Sequence, residues 1–170
     1  MVTLMLFRHA KSSWDQPGQA DFDRPLAERG RRAAPLMGRY MEKQGVVPGY
    51  VACSTAARAR ETLELATREW SVQPGITYDE GLYHAAPSTM LAMARSIDVS
   101  HDRAMLVGHN PGMHGFAVEL CGGGDGSALR RLAAKFPTAG LATIVADCAW
   151  ADLEPGVGKL EAFCVPRDLE

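Results

Sequence analysis

Residues 4 to 14 read L-M-L-F-R-H-A-K-S-S-W, an apolar run that stops abruptly at Arg8-His9. A short apolar run bounded by polar residues is typical of a strand that is buried on both faces of a sheet. In α/β folds, functional groups collect at the carboxyl ends of such strands. The sequence therefore predicts a strand over Val2 to Phe7 that delivers a cation and an imidazole to a loop.

Two further apolar segments end in the same way. Ala104 to Gly108 runs into His109, which is followed by the turn-forming residues Asn110-Pro-Gly. Tyr50 to Ser54 leads to an arginine-bearing stretch that includes Arg58. Because parallel strands end at the same edge of a sheet, we expect two histidines and several arginines to meet at one rim.

The rest of the chain alternates between short apolar segments and helical patterns. Further strands are predicted at Ala142 to Asp147 and, more weakly, Leu160 to Val165. Helical periodicity covers Leu26 to Gln44, Arg58 to Trp70, Ser88 to Ile97 and Met113 to Cys121. This alternation predicts a single three-layer α/β/α domain over residues 1–170, with a mostly parallel central sheet. The glycine-rich segment Gly122 to Ser127 is predicted to be a mobile loop.

The overall charge gives no general reason to expect a polyanionic partner. The chain has 18 Lys and Arg against 20 Asp and Glu, for a formal net charge of -2. A nucleic-acid or membrane partner is therefore not expected, and any anion site must be a local concentration of charge. A domain of this size buries roughly 70% of its unfolded surface, so it needs no metal or disulfide to stabilise its core.

The cysteines favour a reducing compartment. Cys53, Cys121, Cys148 and Cys164 are widely separated and form no C-x-x-C pair, so reduced thiols in the core are expected. The opening apolar run is too short for a signal-peptide core and passes directly into Arg8. A cytoplasmic location is the resulting expectation.

The residues at the predicted rim suit the chemistry of a phosphoryl group. Arg8 and Arg58 can supply forked, permanently charged donors to its oxygens. His9 can attack the phosphorus atom, and His109 can donate a hydrogen bond to a non-bridging oxygen. Nearby arginines disfavour an imidazolium, so they should lower the pKa of His9 and keep a ring nitrogen free to attack.

These residues resemble the histidine phosphatase superfamily, whose members carry an R-H-G or related motif, a downstream arginine and a second histidine. Arg8-His9 matches the first motif, Arg58 matches the arginine of S-x-x-x-R-A-x-x-T, and His109 matches the second histidine. The segment Asp23 to Gly30 and the Val-Gly-His-Asn-Pro run are similar to the SixA-type branch of phosphohistidine phosphatases. The resemblance implies a phosphoglycerate-mutase-like fold and a phosphohistidine intermediate on His9 that water hydrolyses. It also implies that no metal or organic cofactor takes part.

The sequence departs from the superfamily pattern at two positions. Ala10 stands where glycine is common, a change that adds only a methyl group. His84 stands where phosphoglycerate-mutase-like relatives carry a glutamate that serves as general acid, although Glu80 lies close in sequence. Since a phosphohistidine P–N bond needs less acid assistance than an alkyl ester, this change favours a phosphohistidine substrate. His84 could equally be a general acid, a hydrogen-bond donor to the phosphate, or a loop residue without a role in the reaction.

Candidate substrate contacts surround these residues. Ser12, Asn110, His84 and Glu80 are predicted to bind substrate, and the rim candidates are Lys11, Asp23 and Arg24. The expected partner is a phosphorylated protein bearing phosphohistidine, or else a small phosphorylated molecule.

Two other functions stay open. One is a small-molecule phosphomonoesterase of the same superfamily that uses Glu80 or His84 as acid. The other is a phosphate-binding interaction module without turnover. Cysteine-dependent phosphatase chemistry fits poorly, because four residues separate Cys53 from Arg58 where a C-x5-R loop needs five. No histidine spacing typical of a metal site is present either.

Overall fold

The computed structural model describes all 170 residues, Met1–Glu170, and its strands form one seven-stranded sheet. The strands are β1 (Val2–Arg8), β2 (Tyr50–Cys53), β3 (Gly75–Tyr78), β4 (Arg103–Gly108), β5 (Cys121–Gly124), β6 (Leu141–Ala146) and β7 (Gly158–Cys164). Their order across the sheet is β3-β2-β4-β1-β6-β7-β5. Only β6 runs against its neighbours, so the mostly parallel α/β class predicted from the sequence is confirmed.

Helices cover both faces of this sheet. They are α1 (Glu28–Gln44), α2 (Ala57–Thr67), α3 (Pro87–Arg95), α4 (Gly112–Leu120) and α5 (Gly126–Ala134). The first two pack on one face and the other three on the opposite face. None of the five combines the length and the apolar character that crossing a membrane requires.

The central strand β1 shows why its sequence is apolar without alternation. Leu4 and Leu6 point into the core shared with α3, α4 and α5, whereas Met5 and Phe7 point into the core shared with α1 and α2. Successive side chains of a strand face opposite sides, and here both sides are covered by helices. All four side chains are therefore buried.

Glycine and proline residues account for two of the helix ends. Gly45 ends α1 in the left-handed conformation at φ 68°, and Pro87 is the first residue of α3. Gly38 lets α1 approach α2 closely, because a Cβ at this position would lie 2.4 Å from the carbonyl oxygen of Ala66. The four helices predicted from periodicity are confirmed to within three residues at each end.

The prediction of a loop over Gly122 to Ser127 is wrong. Cys121–Gly124 forms the edge strand β5 beside β7, and α5 begins at Gly126. The glycines allow the backbone of β5 to lie directly against β7, because a Cβ on Gly124 would lie 2.3 Å from the carbonyl oxygen of Leu160. The carboxylate of Asp125 accepts a hydrogen bond from the Ala128 amide at 2.8 Å and caps α5.

Candidate active site

Strand register brings the two predicted histidines together. In the parallel pair of β1 and β4, Arg8 lies opposite Gly108, so the next residue of each strand is a histidine. The amide of His9 donates to the carbonyl oxygen of Gly108 at 3.1 Å. The ring centroids of His9 and His109 are 5.1 Å apart. The meeting of strand ends expected from the sequence is thus observed in the structure.

The ring of His9 is fixed by its own loop. Nδ1 lies 2.7 Å from the carbonyl oxygen of Ala10. A carbonyl can only accept a hydrogen bond, so Nδ1 carries the ring proton and Nε2 carries the lone pair. Nε2 makes no hydrogen bond within the protein, and the ring lines a cavity of about 240 Å³. His9 therefore presents a free nitrogen to this cavity, which we call the catalytic cavity.

His9 is held in its neutral form. Its pKa is lowered to about 3, with burial as the largest cause; the cations Arg58, Arg8 and Arg24 also lower it, while the hydrogen bond to Ala10 acts in the opposite direction. The arginine effect matches the expectation from sequence. Burial, at 6% exposure, is the larger cause.

The end of β2 supplies the partner of the second histidine. Nε2 of His109 lies 2.7 Å from the hydroxyl oxygen of Ser54, which also accepts from the Ala56 amide at 3.2 Å. This arrangement favours donation from the hydroxyl to Nε2 and a proton on Nδ1. Nδ1 is buried and has no partner in the protein. Burial, with the nearby His9 and Arg58, lowers the pKa of His109 to about 3.

Helix α2 is tied to the loop that carries His9. The hydroxyl of Thr62 accepts from the Ala10 amide at 2.9 Å and donates to the carbonyl oxygen of Arg58 at 2.7 Å. Arg58 and Thr62 are four residues apart, so they lie on the same side of the helix. The spacing R-A-x-x-T thus places one arginine and one anchoring hydroxyl at the same edge of the cavity.

Arg8 and Asn110 share one anchor. Both donate to the carbonyl oxygen of Phe136, at 2.9 Å and 3.0 Å, and the amide oxygen of Asn110 accepts from the His114 amide at 3.2 Å. Asn110 therefore positions α4 as well as lining the catalytic cavity. The Nε of Arg8 is buried and has no partner in the protein.

A carboxylate missed by the sequence analysis organises the other two arginines. Arg58 donates to the backbone oxygen of Asp21 at 2.7 Å and to its carboxylate at 3.0 Å. Arg24 donates to the other carboxylate oxygen at 2.9 Å, and the Tyr83 hydroxyl donates to the first at 2.5 Å. These hydrogen bonds, led by that of Tyr83, hold the pKa of Asp21 well below its usual range. Asp21 is therefore a fixed anion at neutral pH.

No sequence signal distinguishes Asp21 from its neighbour. Asp23, which was predicted as a rim contact, is exposed and makes no side-chain hydrogen bond or ion pair. Arg24, predicted only as a rim contact, is 6% exposed and lines the catalytic cavity. Its guanidinium also stacks at 3.2 Å on the ring of Trp14, which is exposed.

The remaining predicted contacts fall into two groups. Ser12 is buried, lines the catalytic cavity, and accepts from Arg24 at 2.6 Å, while Lys11 lines the same cavity as an exposed cation. His84 is exposed and does not line this cavity; its ring centroid is 6.2 Å from that of His109, and its Nε2 is 3.8 Å from the carboxylate of Asp21. Glu80 is exposed, makes no side-chain hydrogen bond or ion pair, and does not line the cavity.

The site is built for an anion. No group of three or more His, Cys, Asp or Glu side chains lies close enough to hold a metal ion. Cys53 is buried in the core, where burial raises the pKa of its thiol, so it is no candidate nucleophile. Two imidazoles, each with one nitrogen that has no partner in the protein, line the catalytic cavity together with three arginines. That arrangement defines an α/β protein with a phosphoryl-type site based on two histidines.

Comparison with known proteins identifies the family. The model of the histidine phosphatase superfamily (branch 1) matches residues 4–85. The chain is 39% identical over 162 residues to the uncharacterised Mycobacterium tuberculosis protein MT1313, covering 94% of this chain and 99% of that protein. The chain therefore belongs to the histidine phosphatase superfamily.

Solved structures extend the likeness to the SixA-type branch. A protein assigned as the phosphohistidine phosphatase SixA from Agrobacterium tumefaciens is 31% identical, with a TM-score of 0.82 and coverage of 97% of this chain and 98% of that chain. A similarly assigned protein from Nakamurella multipartitia is 28% identical at the same TM-score, with coverage of 97% and 96%. The resemblance stated from the sequence motifs is confirmed by these findings.

Proposed function

We propose that this protein hydrolyses phosphohistidine on a phosphorylated protein through a covalent phosphoryl intermediate on His9. The observation that carries the proposal is the state of the His9 ring, whose proton is held on Nδ1 by Ala10 while Nε2 faces the catalytic cavity. A neutral imidazole with a free lone pair is the nucleophile that attack on phosphorus requires. A cytoplasmic location, as expected from the sequence, is part of the same proposal.

In the first step, Nε2 of His9 forms a bond to phosphorus as the P–N bond of the substrate breaks. The electron pair of that bond stays on the departing imidazole, which leaves as a neutral group when its other ring nitrogen carries a proton. In the second step, water attacks phosphorus and releases inorganic phosphate. The bond to Nε2 breaks in that step and His9 regains its lone pair.

Two unpartnered donors support a phosphoryl group in the catalytic cavity. Nδ1 of His109 and Nε of Arg8 are buried without a partner in the protein, an arrangement that costs free energy unless a ligand supplies an acceptor. Both residues line the catalytic cavity. Oxygens of a bound phosphoryl group would accept from these donors and from Arg58. Such donors would also stabilise the charge that spreads over these oxygens in the transition state.

The absence of a protonated carboxyl group supports phosphohistidine over an alkyl ester. Asp21 is the carboxylate closest to the arginines of the site, and its hydrogen bonds keep it ionised at neutral pH. It therefore cannot protonate an alkoxide leaving group. General acid assistance contributes about 10²- to 10⁴-fold where the leaving group needs it. A leaving imidazole needs less of this help, so it suits the site better.

The position of His84 favours a second candidate, a small-molecule phosphomonoesterase. Its Nε2 lies 3.8 Å from the Asp21 carboxylate, an ion-pair distance for a protonated ring. An imidazolium there could donate a proton to an ester oxygen. His84→Ala would then depress turnover of alkyl phosphates strongly while sparing phosphohistidine substrates.

The experiment that separates the two candidates compares kcat/KM on a phosphohistidine-bearing protein with kcat/KM on an alkyl phosphate, using the purified chain without added metal. We expect the first value to exceed the second by at least about 10²-fold, which is the lower limit of the rate contribution of a general acid. A ratio near or below one would move the function to the phosphomonoesterase. Binding without turnover of either substrate would instead indicate the interaction module.

A further inference from the structure

The catalytic cavity does not end at the catalytic residues. A second cavity of about 430 Å³ adjoins it, and Arg8, Lys11, Asn110 and Thr138 line both. A third cavity of about 390 Å³ continues from the second, with Lys11 and Thr138 among their shared lining residues. The three cavities therefore form a continuous path across the surface that starts at His9.

The path is lined by cations that have no partner. We define the basic cleft as the part of this path lined by Lys11, Arg29, Lys135 and Arg167. All four side chains are exposed, and none makes an ion pair or a side-chain hydrogen bond. The only acidic residue that lines the cleft is Glu170.

A neighbouring arginine that points away from the basic cleft does have a partner, unlike the four cations of the cleft. Arg32, less than one turn of α1 beyond Arg29, lies 3.0 Å from the carboxylate of Glu28. The formal net charge of the chain is -2, so the positive charge of the basic cleft is a local feature. A local strip of one sign attracts a ligand of the opposite sign and steers its approach.

The walls of the basic cleft are tied to the loop that carries His9. The Ala27 amide, just before α1, donates to the carbonyl oxygen of Lys11 at 2.8 Å. The Ala139 amide, beyond Lys135, donates to the carbonyl oxygen of His9 at 3.0 Å. The backbone at the start of α1 and after Lys135 is therefore fixed relative to the loop that carries His9.

We propose that the basic cleft binds an acidic segment of the phosphorylated protein that flanks the phosphorylated histidine. This inference rests on the proposed function, since it describes how that substrate lies on the protein. A segment seated in the cleft would be continuous with a side chain whose phosphoryl group enters the catalytic cavity. Carboxylates of the segment would pair with Arg29 and Lys135, the cations of the cleft closest to the catalytic cavity after Lys11.

The extent of the basic cleft favours a protein segment over a small polyanion. Its cations come from four separate parts of the chain: the loop after β1, helix α1, the segment after α5 and the 3-10 helix Pro166–Leu169. Arg167 lines only the cavity farthest from His9. A small molecule whose phosphoryl group fills the catalytic cavity would leave that end of the cleft unused.

The test uses two synthetic phosphohistidine peptides that differ only in the residues beside the phosphohistidine, glutamates in one and glutamines in the other. Free phosphoramidate serves as a small substrate, and fluorescence anisotropy measures binding of the unphosphorylated glutamate peptide. The variant is Arg29→Gln/Lys135→Gln. The control, Arg68→Gln/Lys159→Gln, removes the same charge from exposed side chains without ion pairs that lie outside the cleft.

At low salt we expect the wild type to prefer the glutamate peptide by about tenfold in kcat/KM. The cleft variant should lose about fivefold on that peptide, and it should keep its rates on the glutamine peptide and on phosphoramidate. The control variant should keep the preference. Equal kcat/KM for the two peptides in the wild type would overturn the proposal.

Failure of the proposed function would look different. If the protein hydrolyses neither peptide but turns over an alkyl phosphate rapidly, phosphohistidine is not its substrate. Anisotropy would still test the basic cleft: weaker peptide binding by the cleft variant alone supports acidic-segment binding, and unchanged binding overturns it. Inorganic tripolyphosphate is tested as a competitor. If the cleft variant binds tripolyphosphate more weakly but binds the peptide as well as the wild type does, the occupant is a small polyanion and the proposal is wrong.

Discussion

At the scale of single residues, the chemistry depends on which nitrogen of each histidine carries a proton. The Ala10 carbonyl oxygen holds the proton of His9 on Nδ1, so Nε2 is the free nitrogen of that ring. Ser54 is hydrogen-bonded to Nε2 of His109, so Nδ1 is the free nitrogen there. One free nitrogen carries a lone pair suited to attack, and the other is suited to donate a hydrogen bond. The same pair of residues thus supplies two different functions because their neighbours differ.

Histidine NMR tests this assignment. Because burial lowers the pKa of His9 and of His109 to about 3, their ring resonances should stay constant between about pH 7.5 and about pH 5 in the ligand-free protein. The ¹⁵N pattern of His9 should be that of a ring protonated on Nδ1. A titration midpoint near the ordinary value of 6.5 for His9 would contradict the neutral nucleophile.

Replacement of Arg58 by lysine tests donor geometry apart from charge. Arg58 uses two nitrogens on Asp21, and a lysine ammonium cannot reproduce this fork. We expect Arg58→Lys to lower kcat/KM by about 10²-fold. Arg60→Lys on the same helix is the matched control, because Arg60 stacks on Tyr78 outside the cavity and its replacement should leave the rate unchanged. Equal rates for Arg58→Lys and the wild type would make Arg58 peripheral.

At the scale of elements, the site is an outcome of strand register. β1, β2 and β4 run parallel side by side and end at one edge, where their following residues are His9, Ser54 and His109. This edge could be predicted from the sequence, because each strand is a short apolar run that ends at a polar residue.

Other elements could not be predicted, for physical reasons. β3 is an exposed edge strand, and β5 is a run of glycines whose pairing with β7 depends on backbone contact alone. Neither has the side-chain periodicity that marks a strand in sequence. The Asp21 contact with Arg58 joins residues 37 positions apart, and nothing local distinguishes Asp21 from Asp23.

The link between α2 and the catalytic loop predicts an effect of Thr62. Thr62→Val leaves the Ala10 amide and the Arg58 carbonyl oxygen without the hydroxyl that serves both, in a fully buried position. We expect a loss of about 1–3 kcal/mol in the free energy of unfolding and a fall of about tenfold in kcat/KM.

Thr67→Val is the control for this prediction. The hydroxyl of Thr67 donates only to the Glu64 carbonyl oxygen within α2, at 3.1 Å. Its replacement should cost less stability and leave kcat/KM unchanged. Denaturant unfolding and steady-state kinetics measure both quantities, and equal effects of the two substitutions would contradict a special role for Thr62.

At the scale of the whole molecule, the buried histidines make stability depend on pH. The pKa of His9 and of His109 is lowered from 6.5 to about 3 in the folded protein. Below about pH 6.5 the unfolded chain therefore binds protons that the folded protein does not, and stability falls as pH falls. Each histidine costs about 1.4 kcal/mol per pH unit when it titrates fully, so we expect a loss of about 2 to 4 kcal/mol by about pH 5.

Denaturant unfolding at a series of pH values measures this dependence. Asp21 does not obscure this dependence. The stability that its lowered pKa contributes is lost only as pH falls toward and below 3.8, the usual pKa of the group. The double variant His9→Gln/His109→Gln should show a much flatter dependence over the same range. A wild-type stability that stays constant from about pH 7 to about pH 5 would show that both rings titrate normally.

The composition of the whole chain could bound its function only loosely. A net charge of -2 gave no indication of a basic cleft, because its four cations are far apart in sequence and converge only in the fold. The meeting of His9 and His109 could be predicted because each follows a strand with a recognisable pattern. Surface recognition sites lack such patterns, since they are assembled from separate loops and helices.

The most direct test of the proposed chemistry is to trap and locate the phosphoryl group during turnover. The protein would be mixed with a phosphohistidine substrate, quenched under denaturing alkaline conditions and analysed by peptide mass spectrometry. We expect a phosphoryl group on His9 in the wild type and none in a folded His9→Ala variant, which should also lose all turnover. Turnover with an unmodified His9, or a phosphoryl group on another residue, would contradict covalent catalysis by this histidine.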